Sequence, residues 1–219
     1  MTRKGLLILA LAAFVAGGVS AMEVPPLQFS VGGGLSFDYS RVLYWENFPG
    51  NIRHAGSLEH FGFGGWLFAD ATFAELAIAV QGGPGTWLLP QPFGEISASF
   101  VAMDFTLLGK FPFTFSGGSF SLFPLLGIGY NLVLSVSADD EAVLGTRLDS
   151  PGDFSAFRIK WGAGGDFNLS ESLFIRASLL ASFSFPPSVV SDFAHAQPVW
   201  TEYTGGFGAT VRIGIGLRL

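Results

Sequence analysis

FGATVRIGIGLRL, residues Phe207 to Leu219, decides how the rest of the chain is read. Phe207, Ala209, Val211, Ile213, Ile215, Leu217 and Leu219 take the odd positions, and all are apolar. Gly208, Thr210, Arg212, Gly214, Gly216 and Arg218 take the even positions, and all are small or polar. A β-strand points successive side chains to opposite faces, so this segment has one apolar and one polar face. The apolar face could turn inward, as in a soluble barrel, or outward into lipid. The remaining strands must choose between these.

Working outward, the composition favours lipid. The chain is 49% hydrophobic and 13% charged, against roughly 25% charged in ordinary globular proteins. Its 30 glycines and 24 phenylalanines suit short, tightly packed strands with aromatic belts. It has no cysteine, which excludes disulfides, thiolate metal sites and a thiol nucleophile. Arg3 and Lys4, the apolar run Gly5 to Gly18 and Val19-Ser20-Ala21 have the form of a cleavable signal peptide. Residues 1–21 are therefore expected to be removed, leaving 22–219 as one domain. An uncleaved anchor is the alternative, although the run is short for a span. Without Arg3 and Lys4 the chain has 9 basic and 17 acidic residues, a net charge of −8. That balance argues against a nucleic-acid partner.

The same alternation recurs upstream. Predicted strands cover Leu27–Ser40, Phe61–Asp70, Phe73–Gln81, Ile96–Phe113, Phe120–Ser135, Phe157–Phe167 and Leu173–Phe185, before the one at the C-terminus. Short turns are predicted near Ala71-Thr72, at Ser116-Gly117-Gly118-Ser119 and at Ser170-Glu171. The connections 41–60, 82–95, 136–156 and 186–204 are long and are expected to be loops. Short turns at one end and long loops at the other predict an all-β fold, an eight-stranded antiparallel up-and-down transmembrane β-barrel. Strands of about ten residues match the tilted length that crosses a bilayer. Two other readings remain open. Phe111 to Ala138 is uncharged and could be taken for a membrane helix, although Pro112, Pro124 and the Ser-Gly-Gly-Ser cluster oppose it. A secreted soluble barrel of lipocalin type is the other, against which the polar faces are rich in glycine and charge.

With these features the chain resembles the small eight-stranded bacterial outer-membrane barrels, the OmpA transmembrane-domain and OmpW-like class. The resemblance covers all of 22–219. It implies an outer-membrane location, both termini in the periplasm and the four long loops outside the cell. It also implies two partners, outer-membrane lipid and the barrel-assembly machinery, which reads the final strand. Phe207, Ile213, Ile215, Leu217 and Leu219 would carry that assembly signal. Such strands usually end in an aromatic residue, whereas this chain ends in Leu219.

Parity places five acids, Asp38, Asp70, Glu75, Asp104 and Asp166, on inward faces with five bases, Arg158, Lys160, Arg176, Arg212 and Arg218. Four of the acids lie on the first four strands, and all the bases lie on the last three. Unpaired buried charges are costly, so the two halves of the wall are expected to pair across the lumen. Asp166 and Arg176 should sit opposite each other on neighbouring strands. Such a network is either a polar core or a gate on a narrow ion path. Trp66, Phe68, Phe73 and Phe100 also fall inward, either as filling or as the lining for a small hydrophobic solute. The favoured function is a structural or surface-interaction protein with a filled lumen. A narrow channel or porin for ions or small hydrophobic solutes is the alternative.

An enzyme is the third reading and is not favoured. His54, His60 and His195 fall in or beside loops with no nucleophile motif around them. They lack metal-ligand spacing on one element, and no cofactor is expected. Tyr44, Trp45, Phe48, Trp87, Phe193, Trp200 and Tyr203 could form an outer aromatic girdle or bind an extracellular ligand through the loops. Phe111, Phe113, Phe115 and Phe120 could form the inner girdle.

Overall fold

In a computed structural model the described residues are 26–48, 52–88, 95–115, 118–138, 154–185 and 200–219. The expected signal peptide, Phe193 and His195 lie outside them, as do the side chains of Tyr44, Trp45, Phe48, His54, Trp87, Trp200 and Tyr203. The strands are β1 (Phe29–Phe48), β2 (Ile52–Ala71), β3 (Ala74–Leu88), β4 (Glu95–Lys110), β5 (Phe113–Phe115), β6 (Phe120–Ala138), β7 (Ala156–Asn168), β8 (Leu173–Ser184) and β9 (Trp200–Arg218). Each pairs antiparallel with the next around the ring, except that β4 pairs directly with β6. The three-residue β5 only adds to the hairpin of β6. The expected eight-stranded barrel is therefore present. The uncharged stretch 111–138 holds β5 and β6 rather than a helix.

The seam is made by the segment quoted first. Ser30 pairs with Arg218 and Ser36 with Arg212, so β9 closes onto β1 and leaves no open edge there. The seam shifts register between Leu43 and Tyr44. Gly205, on the β9 side of that bulge, has φ 116, which a residue with a Cβ rarely adopts.

Strand length differs around the ring. β8 has 12 residues and β7 has 13, close to the roughly 9–11 that cross a bilayer. β1 and β2 have 20 each. Much of 41–60, expected to be loop, is therefore a continuation of the β1–β2 ladder, from Arg41 opposite Glu59 up to Phe48 opposite Ile52. Residues 82–88 likewise extend β3, 136–138 extend β6 and 200–204 begin β9. A ladder needs only paired backbone groups. Above the lipid it has no reason to keep the apolar alternation that marks the membrane part.

The two faces have the polarity of a membrane barrel. Leu35, Phe63, Leu67, Leu76, Leu107, Leu126, Ile128, Leu179, Ile213 and Ile215 all point outward and are exposed. Cross-strand aromatic pairs run around the outside at the level toward the long loops. Phe37–Phe63 have ring centroids 4.9 Å apart, Tyr39–Phe61 4.8 Å, Tyr130–Phe157 4.9 Å and Phe183–Phe207 5.2 Å. Just beyond them Arg41 and Glu59 form an outward ion pair at 3.2 Å, which interrupts the apolar face of β1 and β2. At the turn end Phe73–Phe111, Phe111–Phe113 and Phe115–Phe120 cluster at 5.3–6.5 Å. Aromatic rings at both edges of an apolar band are the girdles of a lipid-spanning barrel.

Candidate functional site

The inward faces of the wall carry the candidate site. Even positions of β1, β2, β4, β7, β8 and β9 and odd positions of β3 point into the lumen, which brings charges from both halves together.

The densest group lies near the short turns. Asp166 and Arg176 are direct register partners on β7 and β8. Arg176 Nε and Nη2 donate to the two oxygens of Asp166, each at 2.7 Å, a bidentate fork. Arg176 Nη1 crosses the lumen to Asp70 of β2 at 2.5 Å and to Glu75 of β3 at 2.9 Å. One guanidinium thus holds three carboxylates from three strands. Its plane also lies 4.4 Å from the Phe68 ring centroid and 5.0 Å from that of Phe174. Asp70 accepts from Ser30 and from Lys110 as well.

One layer up, Lys160 Nζ donates to Asp104 at 2.5 Å and to Thr106 at 3.0 Å. Arg212 reaches the same two side chains at 3.4 and 3.3 Å, and Glu75 at 3.9 Å. Nearest the long loops, Arg158 Nη1 meets Asp38 at 3.3 Å and stands 4.0 Å from Asp104, while Thr210 donates to Asp38 at 2.6 Å.

The lumen therefore gathers Asp38, Asp70, Glu75, Asp104, Asp166, Arg158, Lys160, Arg176 and Arg212, and all are buried. Two corrections apply to the sequence reading. Arg218 does not join the acids. It sits at the rim, bonded to Asn168 and to the carbonyl of Glu171, because the last turn of the wall offers it neighbours there. The fifth base is Lys110, at the turn end of β4. The parity that points Asp104 and Thr106 inward also points Lys110 inward, a signal present in the sequence but not used. Phe73 is corrected too: it falls in the β2–β3 turn, is exposed, and packs toward Phe111.

Apolar side chains fill the space between the charges. Trp66, Phe68, Ala77, Ala79 and Phe174 make one buried cluster, and Leu108, Phe123, Leu125 and Leu180 make a second. Glycines on the facing strands make room for the rings. A Cβ at Gly216 would collide with the Phe174 ring, and one at Gly164 with the Phe123 ring. A barrel of this size is just wide enough for such side chains to close it.

The loop end is emptier. A cavity of about 50 Å³ lies there among Ser40, His60, Phe100, Asn131, Phe154 and Arg158. His60, expected at a loop edge, belongs to β2 and meets Phe100 edge-on at 5.3 Å. Among the described residues, the buried side-chain atoms lacking a hydrogen-bond partner are His60 Nε2, Asp104 Oδ2, Arg158 Nε, Ser178 Oγ, Ser182 Oγ, and Arg212 Nε and Nη1.

An apolar, aromatic-edged exterior around a charged, filled interior inverts a soluble protein. The chain folds as a small eight-stranded β-barrel with a lipid-type exterior. The barrel resembles several solved structures in fold. It is similar to the outer-membrane protein OprG of Pseudomonas aeruginosa, at 12% identity over 88% of this chain and 95% of that one, with a TM-score of 0.48. The E. coli outer membrane protein W matches at 14% identity over 88% and 97%, TM-score 0.46. Ail, the attachment invasion locus protein of Yersinia pestis, matches at 14% identity over 87% and 98%, TM-score 0.34. No family model matches the sequence, and no curated protein matches it.

Proposed function

We propose that the protein is a closed outer-membrane barrel with a structural or surface-interaction role, its turn end in the periplasm and its long loops outside the cell. The observation that carries this reading is the Arg176 clamp. It ties β8 to β2, β3 and β7 through Asp70, Glu75 and Asp166 in a layer where Phe68, Phe174 and Phe123 occupy the remaining space. A solute path would have to separate these ion pairs inside the low-dielectric wall. Removing one partner from such a buried pair costs about 3–5 kcal/mol. The same clamp makes the network a core rather than a gate.

The barrel performs no catalysis on this reading. Lipid and the assembly machinery are its partners, with β9 presenting Ile213, Ile215 and Leu217 on its lipid face. Liposome swelling tests the reading. Vesicles containing the refolded protein should shrink and stay shrunken in arabinose, as protein-free vesicles do. Re-swelling at porin-like rates would overturn it in favour of the porin alternative.

A further inference from the structure

The cavity at the loop end is not needed to close the barrel, and its chemistry is specific. Its floor is Arg158, which is 6% exposed, and whose Nε has no hydrogen-bond partner among the described residues. His60 Nε2 is a second buried nitrogen without one. Ser40 and Asn131 add polar groups to the lining. Phe100 and Phe154 stand at 75° to one another with centroids 6.2 Å apart, and give it two aromatic walls.

Three cations crowd around the floor. Arg158, Lys160 and Arg212 face Asp38 and Asp104, and Arg212 also stands 3.9 Å from Glu75 of the clamp below. The Arg158–Asp38 contact is also single-pronged and long, at 3.3 Å, and does not engage Nε.

We infer that this cup binds a small carboxylate, held by the Arg158 guanidinium with His60 beside it and its apolar end against Phe100 and Phe154. A carboxylate matches each feature. It is planar and fits a guanidinium edge. Its negative charge meets the Arg158 guanidinium, whose one close carboxylate contact is 3.3 Å long. The volume accommodates a ligand of a few heavy atoms. A cation would meet the Arg158 guanidinium, and a neutral amide would bring it no charge to pair with. Because the Arg176 layer lies beneath the cup, the ligand is bound and released from the same side.

The test uses the full barrel in lipid nanodiscs and trifluoroacetate as the probe, followed by fluorine NMR line broadening. Trifluoroacetate should bind saturably. Trifluoroacetamide, neutral and of similar size, should not. Changing Asp38→Asn together with Arg158→Gln keeps two hydrogen-bonding side chains but removes the cation, and should weaken trifluoroacetate binding by about tenfold or more. Arg158→Lys retains the charge and the pairing with Asp38 but loses Nε, so it should fold as the parent does and still bind several-fold more weakly. Heat-modifiable electrophoretic mobility reports folding of each variant. Equal binding of the amide, or unchanged affinity in Arg158→Lys, would overturn the assignment.

Discussion

The two halves of the lumen are built from the same residue types and behave differently. At the turn end every charge of the Arg176 cluster is engaged: Asp70, Glu75, Asp166 and Lys110 all meet a partner, and aromatic rings pack against the guanidinium. Toward the loops the arginine pairs lengthen to 3.3–4.0 Å, and only Lys160 holds its acid, Asp104, as closely as 2.5 Å among the described residues. Among the described residues, the buried side-chain atoms without partners belong to residues above the clamp, and the cavity opens there. Charge count alone therefore does not make a plug. Closure comes from the combination of a multidentate guanidinium with rings seated on glycine, and only the lower half has it.

The comparison can be broken at several points, the largest effect first. Arg176→Ala should be the most damaging change inside the barrel. It strands three carboxylates in the same layer, and urea unfolding from lipid should show a loss of about 3–5 kcal/mol. A loss below about 1 kcal/mol would mean that water already reaches this layer.

Ile213→Arg tests the outside of the wall beside Arg212. Arg212 and Ile213 are chain neighbours on opposite faces, the first buried in the lumen and the second exposed on the outside. Arginine facing lipid near the midplane should cost about 2–4 kcal/mol of folding free energy in bilayers. Tolerance of this change would mean the two faces have been exchanged.

Arg158→Gln removes a cation from the looser half. There the partners are few and the cavity can admit water, so unfolding measurements should show a loss of about 1–3 kcal/mol, clearly smaller than for Arg176→Ala. Equal losses would erase the distinction between the halves. The smallest effect is expected for Arg41→Ala. Its pair with Glu59 is outward and partly exposed, and such pairs contribute about 0–1 kcal/mol. A double-mutant cycle with Glu59→Ala measures it.

How far the sequence carried the fold depends on where lipid acts. Within the bilayer, alternation is enforced on both faces. Phe207–Leu219 and Phe157–Phe167 could thus be assigned to the correct face from parity alone, and Asp166 could be set opposite Arg176 from the turn at Ser170-Glu171. Above the bilayer that constraint vanishes. Residues 41–60 read as polar loop although the backbone of 41–48 and 52–60 continues the β1–β2 ladder. Parity also has no knowledge of strand ends. It put Arg218 among the interior acids when the rim supplies Asn168 and the Glu171 carbonyl, and it placed Phe73 inside although the chain is already turning there. The partners of Arg176 across the lumen were not legible, because pairing between β8 and β2 or β3 depends on how far each side chain reaches after the ring closes. The cup went unseen for a similar reason. His60 and Phe154 approach only through β2 and β7, nearly a hundred residues apart in the chain.

The most direct measurement is single-channel conductance of the purified full-length protein in planar bilayers, run beside Arg176→Ala. A lumen closed by the clamp gives no openings from the wild-type protein, and openings from whatever fraction of the variant inserts. Steady, reproducible openings from the wild-type protein would contradict closure by the Arg176 layer.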